Sequence, residues 1–282
     1  MWPLLGGHKS LDGQPGGHYA ENVMRSQALP DEEKPKVAAE SKRAVTVARD
    51  KPSTTIEDYL EVVYNMLGEG RTVIAARLTE KMGVAAPTVW ATLQRMQRDG
   101  LLKLGARKEI TLSESGLEAA ESVIRRHRLA ECLLVDILGL EWHEAHEEAH
   151  RIEHAISPRV EAHILAVLGH PTTCPHGNPI PGYAQEPPPP TVALNSLSEG
   201  DEVTVESISE DAEEDQDLLR YLQKNGLVPG TRLKVVEVAP FNATMTVEVD
   251  GNRVTLGDPV SAVIGVRPLD QSPRSVRGPR PS

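Results

Sequence analysis

The chain has 282 residues, 39% of them hydrophobic and 3% aromatic, and a formal net charge of -11. That length suits two or three small domains with aliphatic, mostly helical cores. Two cysteines, Cys132 and Cys174, exclude a disulfide scaffold and fit a reducing compartment, and the acidic balance means that any face for a polyanion must be local.

No stretch approaches the roughly 18 apolar residues of a membrane span. Residues 1–20 lack the basic and apolar regions of a secretion signal, so a cytoplasmic protein is expected. Residues 1–52 mix Gly, Pro and charge without periodicity and are expected to be mostly disordered. Order is expected from Pro52. Ser53, Thr54 and Thr55 suit a helix start, Glu57 and Asp58 suit its first turn, and Ile56, Leu60, Val63 and Leu67 make one stripe. Gly68-Glu69-Gly70 ends that helix.

Val73–Met82 and Pro87–Arg98 then read as two helices about a tight turn at Gly83. Leu101–Leu104 and Glu109–Leu112 read as short strands around Gly105-Ala106-Arg107-Lys108. Helix, turn, helix and a basic-tipped hairpin make a winged helix-turn-helix DNA-binding domain over residues 53–113. In such a motif the second helix enters the major groove by its N-terminal residues. Here these include Pro87, Thr88, Ala91 and Thr92, whose hydroxyls can bond phosphate or base and whose apolar groups can touch thymine methyls. Arg95, Arg98, Arg107 and Lys108, with Lys103, are candidate phosphate contacts. The plainer alternative is a buried helix pair with solvated basic side chains; the basic hairpin favours DNA.

Residues 114–170 read as long helices: Glu114–Leu138, a break at Gly139-Leu140, Glu141–Ile156, and a helix from Ser157-Pro158 to Leu168-Gly169. Residues 171–190 read as an extended Pro-rich linker ending in a polyproline spacer, Pro187–Pro190. Over 191–269, Glu202–Val205, Leu233–Val238, Met245–Val249 and Val254–Leu256 alternate as strands do, and Asp217–Asn225 is one small helix, which together suggest an SH3-like β-barrel. Residues 270–282 read as a disordered tail.

The densest chemistry runs from His143 to His154. At about 100° per residue, His146, His150, Glu153 and His154 fall near 0°, 40°, 340° and 80°, on one helical face. Such a set is costly to bury without a partner, and a divalent cation is the natural one. His127 and Glu131 add an i,i+4 pair, and Asp58 and Glu61 an i,i+3 pair. A single cluster of this kind is usually a solvated face; three clusters on three helices point to metal. His143 alone does not. His146-Glu147-Glu148-Ala149-His150 also spells the zinc-protease motif, so a zinc metalloprotease is the competing reading. Against it, Glu153-His154 stand where the metzincin continuation needs Gly and then His, and Glu147 is explained as a solvent-facing acid. No enzyme activity and no catalytic residue are expected.

These features together resemble the diphtheria-toxin-repressor family of iron- and manganese-dependent regulators. The resemblance runs from about Thr55 to Pro268. It is carried by Ala86-Pro87-Thr88-Val89, by Arg95-Met96-Gln97-Arg98-Asp99-Gly100-Leu101, by His127-Arg128-Leu129-Ala130-Glu131, by Glu148-Ala149-His150-Arg151-Ile152-Glu153-His154 and by Gly177-Asn178-Pro179-Ile180-Pro181-Gly182. It implies two metal sites per subunit. One would use His127, Glu131 and His146 with Glu210 and Glu213; the other Asp58, His150, Glu153 and His154 with Glu61. It also implies a FeoA-like C-terminal domain, a homodimer joined through residues 114–169, and a palindromic operator at metal-uptake genes. Asp58 matches the manganese branch, whereas His150 matches neither branch. A ligand set of oxygen and nitrogen without sulfur suits Mn(II) or Fe(II). Ala85 and Ala91 stand where relatives often carry Ser and Gln, beside a bulky Trp90. The implied mechanism is that a cation joining Asp58 to the helical ligands sets the angle between two recognition helices, while the other site locks the β domain to the helices.

Overall fold

A computed structural model describes residues 51–184 and 191–269. The expectations for residues 1–50, for Pro187–Pro190 and for the tail from residue 270 lie outside the described residues.

The first helix, α1 (Thr54–Gly68), buries Ile56, Tyr59, Leu60, Val63 and Met66. Helices α2 (Ala75–Met82) and α3 (Ala86–Arg98) flank a left-handed turn at Gly83 (φ 63°). Leu78, Val89, Leu93 and Met96 are fully buried against α1. Helix α2 starts two residues later than its sequence suggests. Ile74 is extended, and the Val73 carbonyl accepts a 2.9 Å hydrogen bond from the Ile110 amide of the hairpin, so the hairpin claims this backbone. Strands β1 (Leu102–Leu104) and β2 (Ile110–Leu112) pair antiparallel and complete the winged helix-turn-helix.

Helix α4 (Glu114–Cys132) is capped by Ser113, whose Oγ accepts from the Gly116 amide at 3.0 Å. The continuous helix expected to Leu138 instead changes to a π-helical turn at Leu133–Ile137. Such turns shift the register of the residues that follow and recur near functional sites. Helix α5 (Ala145–Ile152) is shorter than expected, and its C-terminal turn tightens to a 3-10 turn, Glu153–Ala155. Helix α6 (Pro158–Val167) starts at Ser157, whose Oγ accepts from the Val160 amide.

Residues 170–184 are not an extended spacer. Thr173 bridges Pro179, and Cys174, His176 and Ile180 are buried. The segment clips onto the C-terminal sheet: the Ile208 amide donates to the His176 carbonyl and Asn178 Nδ2 to the Ile208 carbonyl, each at 2.9 Å. The sequence misleads here because proline and glycine signal loops but carry no information on burial. Gly177 has φ 87°, and a Cβ there would lie 1.9 Å from the Glu206 carbonyl oxygen. Gly177→Ala is therefore expected to lower unfolding free energy by about 2–4 kcal/mol, from left-handed strain plus overpacking. A urea melt of the metal-free protein checks this.

The C-terminal sheet has the order β3 (Val192–Ala193), β8 (Ile264–Pro268), β4 (Glu202–Ile208), β5 (Arg232–Ala239), β6 (Thr244–Val249), β7 (Asn252–Gly257), with antiparallel neighbours. The expected barrel is not closed: among the described residues β3 and β7 remain edges. Val203, Val205 and, beyond a register shift, Ile208 on β4 face inward, and α8 (Gln216–Lys224) covers them with Leu219 and Leu222. Two short helices, α7 (Glu210–Glu213) and α9 (Asp258–Ala262), complete the unit. Trp142, from the helical segment, packs in this core and donates from Nε1 to the Pro175 carbonyl, so sheet and helices share one anchor.

Candidate metal centre

Four segments converge beneath α1. Helix α4 carries His127 and Glu131, one turn apart and both buried. Helix α5 and its 3-10 extension carry His146, His150, Glu153 and His154. The 170–184 segment adds Cys174 and His176, and α7 adds Glu213. From above, α1 lowers Asp58 and Glu61.

In one group, His127, Glu131, His146 and Glu213 offer donor atoms all within 4.8 Å of one another. Glu131 Oε1 lies 3.2 Å from both His127 Nε2 and His146 Nδ1, and Glu213 Oε2 lies 3.1 Å from His146 Nδ1. Glu210 does not join them; its carboxylate takes a 2.5 Å bond from Arg128 Nη2. The second set of residues divides in two. Asp58, Glu153 and His154 form one cluster, and Glu61, His127, His150 and Glu153 another, so Glu153 is shared. Its Oε2 is 2.5 Å from His127 Nδ1, while its Oε1 is 3.3 Å from His150 Nδ1 and 3.2 Å from His154 Nε2.

Cys174 and His176 are members that sequence reasoning passed over. With Glu131 they form a further cluster, and His176 Nδ1 lies 3.3 Å from Glu131 Oε1. The i,i+2 pairing of Cys174 and His176 was available as a signal, but it sat in a segment read as a spacer. A buried thiol thus stands beside the oxygen and nitrogen donors. Burial pushes the Cys174 thiol well above its usual range, and Glu131 and Glu213 add to this, so it is a neutral thiol while metal-free.

The electrostatics are those of a site built for a cation. Burial pushes Glu61 up to about 7, against the pull of His127. Burial also raises Asp58 and Glu213. Burial opposes charge on His146, yet the neighbouring carboxylates of Glu131 and Glu213 push it up to about 10. Burial likewise opposes charge on His176, which Glu213 and Glu131 push up to about 9. Burial works to raise Glu153 as well, but His127 and His150 hold it down at about 2. Protons on the imidazoles thus compensate the carboxylates in the metal-free state. They do so incompletely: Oε2 of Glu61, Glu131 and Glu213, Oε1 of Glu153 and Nδ1 of His176 are buried without a hydrogen bond. Buried polar atoms are ordinarily paired, and orphaned carboxylate oxygens and imidazole nitrogens aimed at one another fit a divalent ion.

The protease arrangement is absent from these side chains. His146 and His150 belong to different clusters, and Glu147 points outward, held by Arg151 and by a 2.6 Å bond from Gln216 Nε2. His143 stands apart, with Gln223 Oε1 3.4 Å from its Nδ1.

On the reading helix, Pro87, Thr88, Trp90, Ala91, Arg95 and Arg98 are exposed, as are Lys103, Arg107 and Lys108 of the hairpin. Thr92 is half-buried and its hydroxyl donates to the Thr88 carbonyl at 3.0 Å, which occupies its proton inside the helix.

The model of an iron-dependent repressor N-terminal DNA-binding domain matches residues 51–110, that of an iron-dependent repressor metal-binding and dimerisation domain residues 113–182, and that of a FeoA domain residues 192–268. The chain is 39% identical over 212 residues to the iron-dependent repressor IdeR of Mycobacterium leprae, covering 72% of this chain and 92% of that one. It is 33% identical over 224 residues to the diphtheria toxin repressor of Corynebacterium efficiens, covering 77% and 96%. A solved structure of a manganese-dependent transcriptional repressor in complex with manganese superposes with a TM-score of 0.69 at 38% identity, covering 76% of this chain and 100% of that one. Matched from the winged helix through the helical domain to the sheet, the chain belongs to the diphtheria-toxin-repressor family of metal-dependent transcriptional repressors, and it is not an enzyme.

Proposed function

We propose that this repressor is switched on by Mn(II) or Fe(II), up to two ions per subunit, and that it then binds a palindromic operator as a cytoplasmic homodimer to control metal-uptake genes. One observation carries the reading: acids of the DNA-binding segment, Asp58 and Glu61, share clusters with Glu153, His150 and His154 of the helical segment. Asp58, Glu61, His150, Glu153 and His154 would hold one ion; His127, Glu131, His146 and Glu213 the other, with Glu210 keeping Arg128 beside them. Cys174 and His176 border the set that contains Glu131. When bound, the ion supplies positive charge that lets these carboxylates share a dry space.

The chain's own residues do the rest. Asp58 sits on α1, and α1 packs against the pair α2–α3, so fixing Asp58 fixes the reading helix. Without compensation the clustered carboxylates repel, and the population shifts away from the DNA-competent arrangement. Support for pairing comes from a groove in which the exposed Val160 and Val167 stand beside Leu133 and Ile164; Ile137 and Leu138 are further exposed apolar side chains. Exposed apolar patches of this kind mark association surfaces. In a dimer the two reading helices must match half-sites about one DNA turn apart, or a multiple of it.

The test is operator binding titrated separately with Mn(II), Fe(II) and Zn(II), with chelator as reference. Tight binding in chelator would overturn the reading. A pH dependence follows as well. His146 is raised in the folded protein from its ordinary 6.5 to about 10, so the stability it contributes is full below about 6.5 and is lost as pH rises through about 10. The metal-free protein should therefore melt earlier at pH 9 than at pH 6. Because ligand protons must leave, Mn(II) affinity should rise over the same range. Calorimetry in buffers of different ionisation enthalpy reads the protons released; none released would contradict the site.

A further inference from the structure

Glu57 is almost fully buried on α1, one residue before Asp58, and it is absent from every cluster of candidate ligands. Its two oxygens are nevertheless fully employed. Oε1 accepts from Arg126 Nη2 at 2.7 Å, and Oε2 lies 2.7 Å from His154 Nδ1. Lys51 Nζ stands 3.4 Å from Oε1 and donates to the His154 carbonyl. Arg126 in turn donates from Nε to the Glu153 carbonyl at 3.0 Å and from Nη1 to Ser122 Oγ at 2.9 Å. Meanwhile the other nitrogen of His154, Nε2, faces Asp58 Oδ1 at 3.0 Å and Glu153 Oε1 at 3.2 Å.

One turn of α1 therefore grips both nitrogens of a single imidazole. We propose that Glu57 is a positioning residue for the metal site: it takes the proton of His154 Nδ1 as a hydrogen bond, which leaves the lone pair of Nε2 on the side of Asp58 and Glu153, and through Arg126 it holds the Glu153 backbone in register. A carboxylate on the far nitrogen of a ligating histidine fixes the tautomer and ring orientation, and its loss typically costs about 10- to 100-fold in metal affinity. Glu57 does this from the DNA-binding segment, so the reading head is tied to the helices by two adjacent side chains, Asp58 on the ligand side and Glu57 behind it.

Glutamine does not replace it. Arg126 donates to one Glu57 oxygen, and the Nδ1–H tautomer of His154 needs the other as acceptor. An amide offers a single acceptor oxygen. With that oxygen turned to Arg126, the amide nitrogen donates to Nδ1 and puts the proton on Nε2, where a ligand lone pair is needed.

The inference rests on His154 being a ligand, and the test separates the two claims. Mn(II) affinity of the full-length protein is measured by competition with a fluorescent chelator for wild type, Glu57→Gln, His154→Ala and the double variant. Both single variants should weaken the more sensitive Mn(II) site at least about 10-fold. The double variant should be no weaker than His154→Ala, because Glu57 acts through that ring. If His154→Ala binds Mn(II) as wild type does, the ligand reading fails. If His154→Ala weakens binding but Glu57→Gln does not, or if the two losses multiply in the double variant, Glu57 serves only to neutralise Arg126 and the proposal fails. Urea melts in chelator report that structural role separately. Glu57→Asp, which keeps the charge but shortens the reach, should recover part of the affinity, and no recovery beyond the Gln variant would count against the proposal.

Discussion

Glu153→Gln should abolish the metal response, with operator affinity in saturating Mn(II) falling about 100-fold, toward the level of wild type in chelator. Glu153 is completely buried and stands in both groups that contain an α1 acid. Its carboxylate is held ionised down to about 2 by His127 and His150, against burial, so at neutral pH it contributes a full negative charge. Glutamine keeps the shape and removes that charge from two clusters at once. Fluorescence anisotropy on promoter DNA that the wild type protects, with circular dichroism to confirm folding, is the measurement. Equal Mn(II) half-saturation in variant and wild type would remove Glu153 from the switch.

The second large effect concerns pairing. Val160→Asp with Val167→Asp should yield a folded monomer with operator affinity reduced about 100-fold or more. Both valines are already exposed in the single chain, at 47% and 64%, so the substitutions cost the monomer little. In a dimer they would bury charge without partners, which is strongly unfavourable. The loss on DNA follows from tethering: a second reading head on the same particle binds at high effective concentration, and separating the heads forfeits that gain. Analytical ultracentrifugation gives the oligomeric state. A variant that stays dimeric would show that the subunits meet elsewhere.

Much of the site was legible because its local geometry is helical. His127 and Glu131, or His146 and His150, lie a fixed turn apart, and periodicity alone puts each pair on one face. The winged helix was legible for the same reason, with Gly83 and the basic hairpin as punctuation. What periodicity misses is direction between elements. Thr92 lies at the reading end of α3, yet its hydroxyl bonds back to Thr88. Glu210 and Glu213 are three residues apart on α7, yet Arg128 captures the first and only the second reaches the histidines. Cys174 and His176 occupy an irregular segment, where no repeat predicts which side chains turn inward.

The sequence by itself determined the class of the protein: a helix-turn-helix with a wing, acidic and imidazole clusters on helical faces, and a small β domain, because local hydrogen bonding and amphipathic spacing fix each of these within a few turns of chain. Only the tertiary structure decided how the clusters divide, that Glu153 belongs to two of them, that the 170–184 segment is packed, and that Glu57 stands behind His154. Those facts depend on contacts between residues from 15 to 97 positions apart, set by core packing and by the need to compensate buried charge, and no local pattern encodes them.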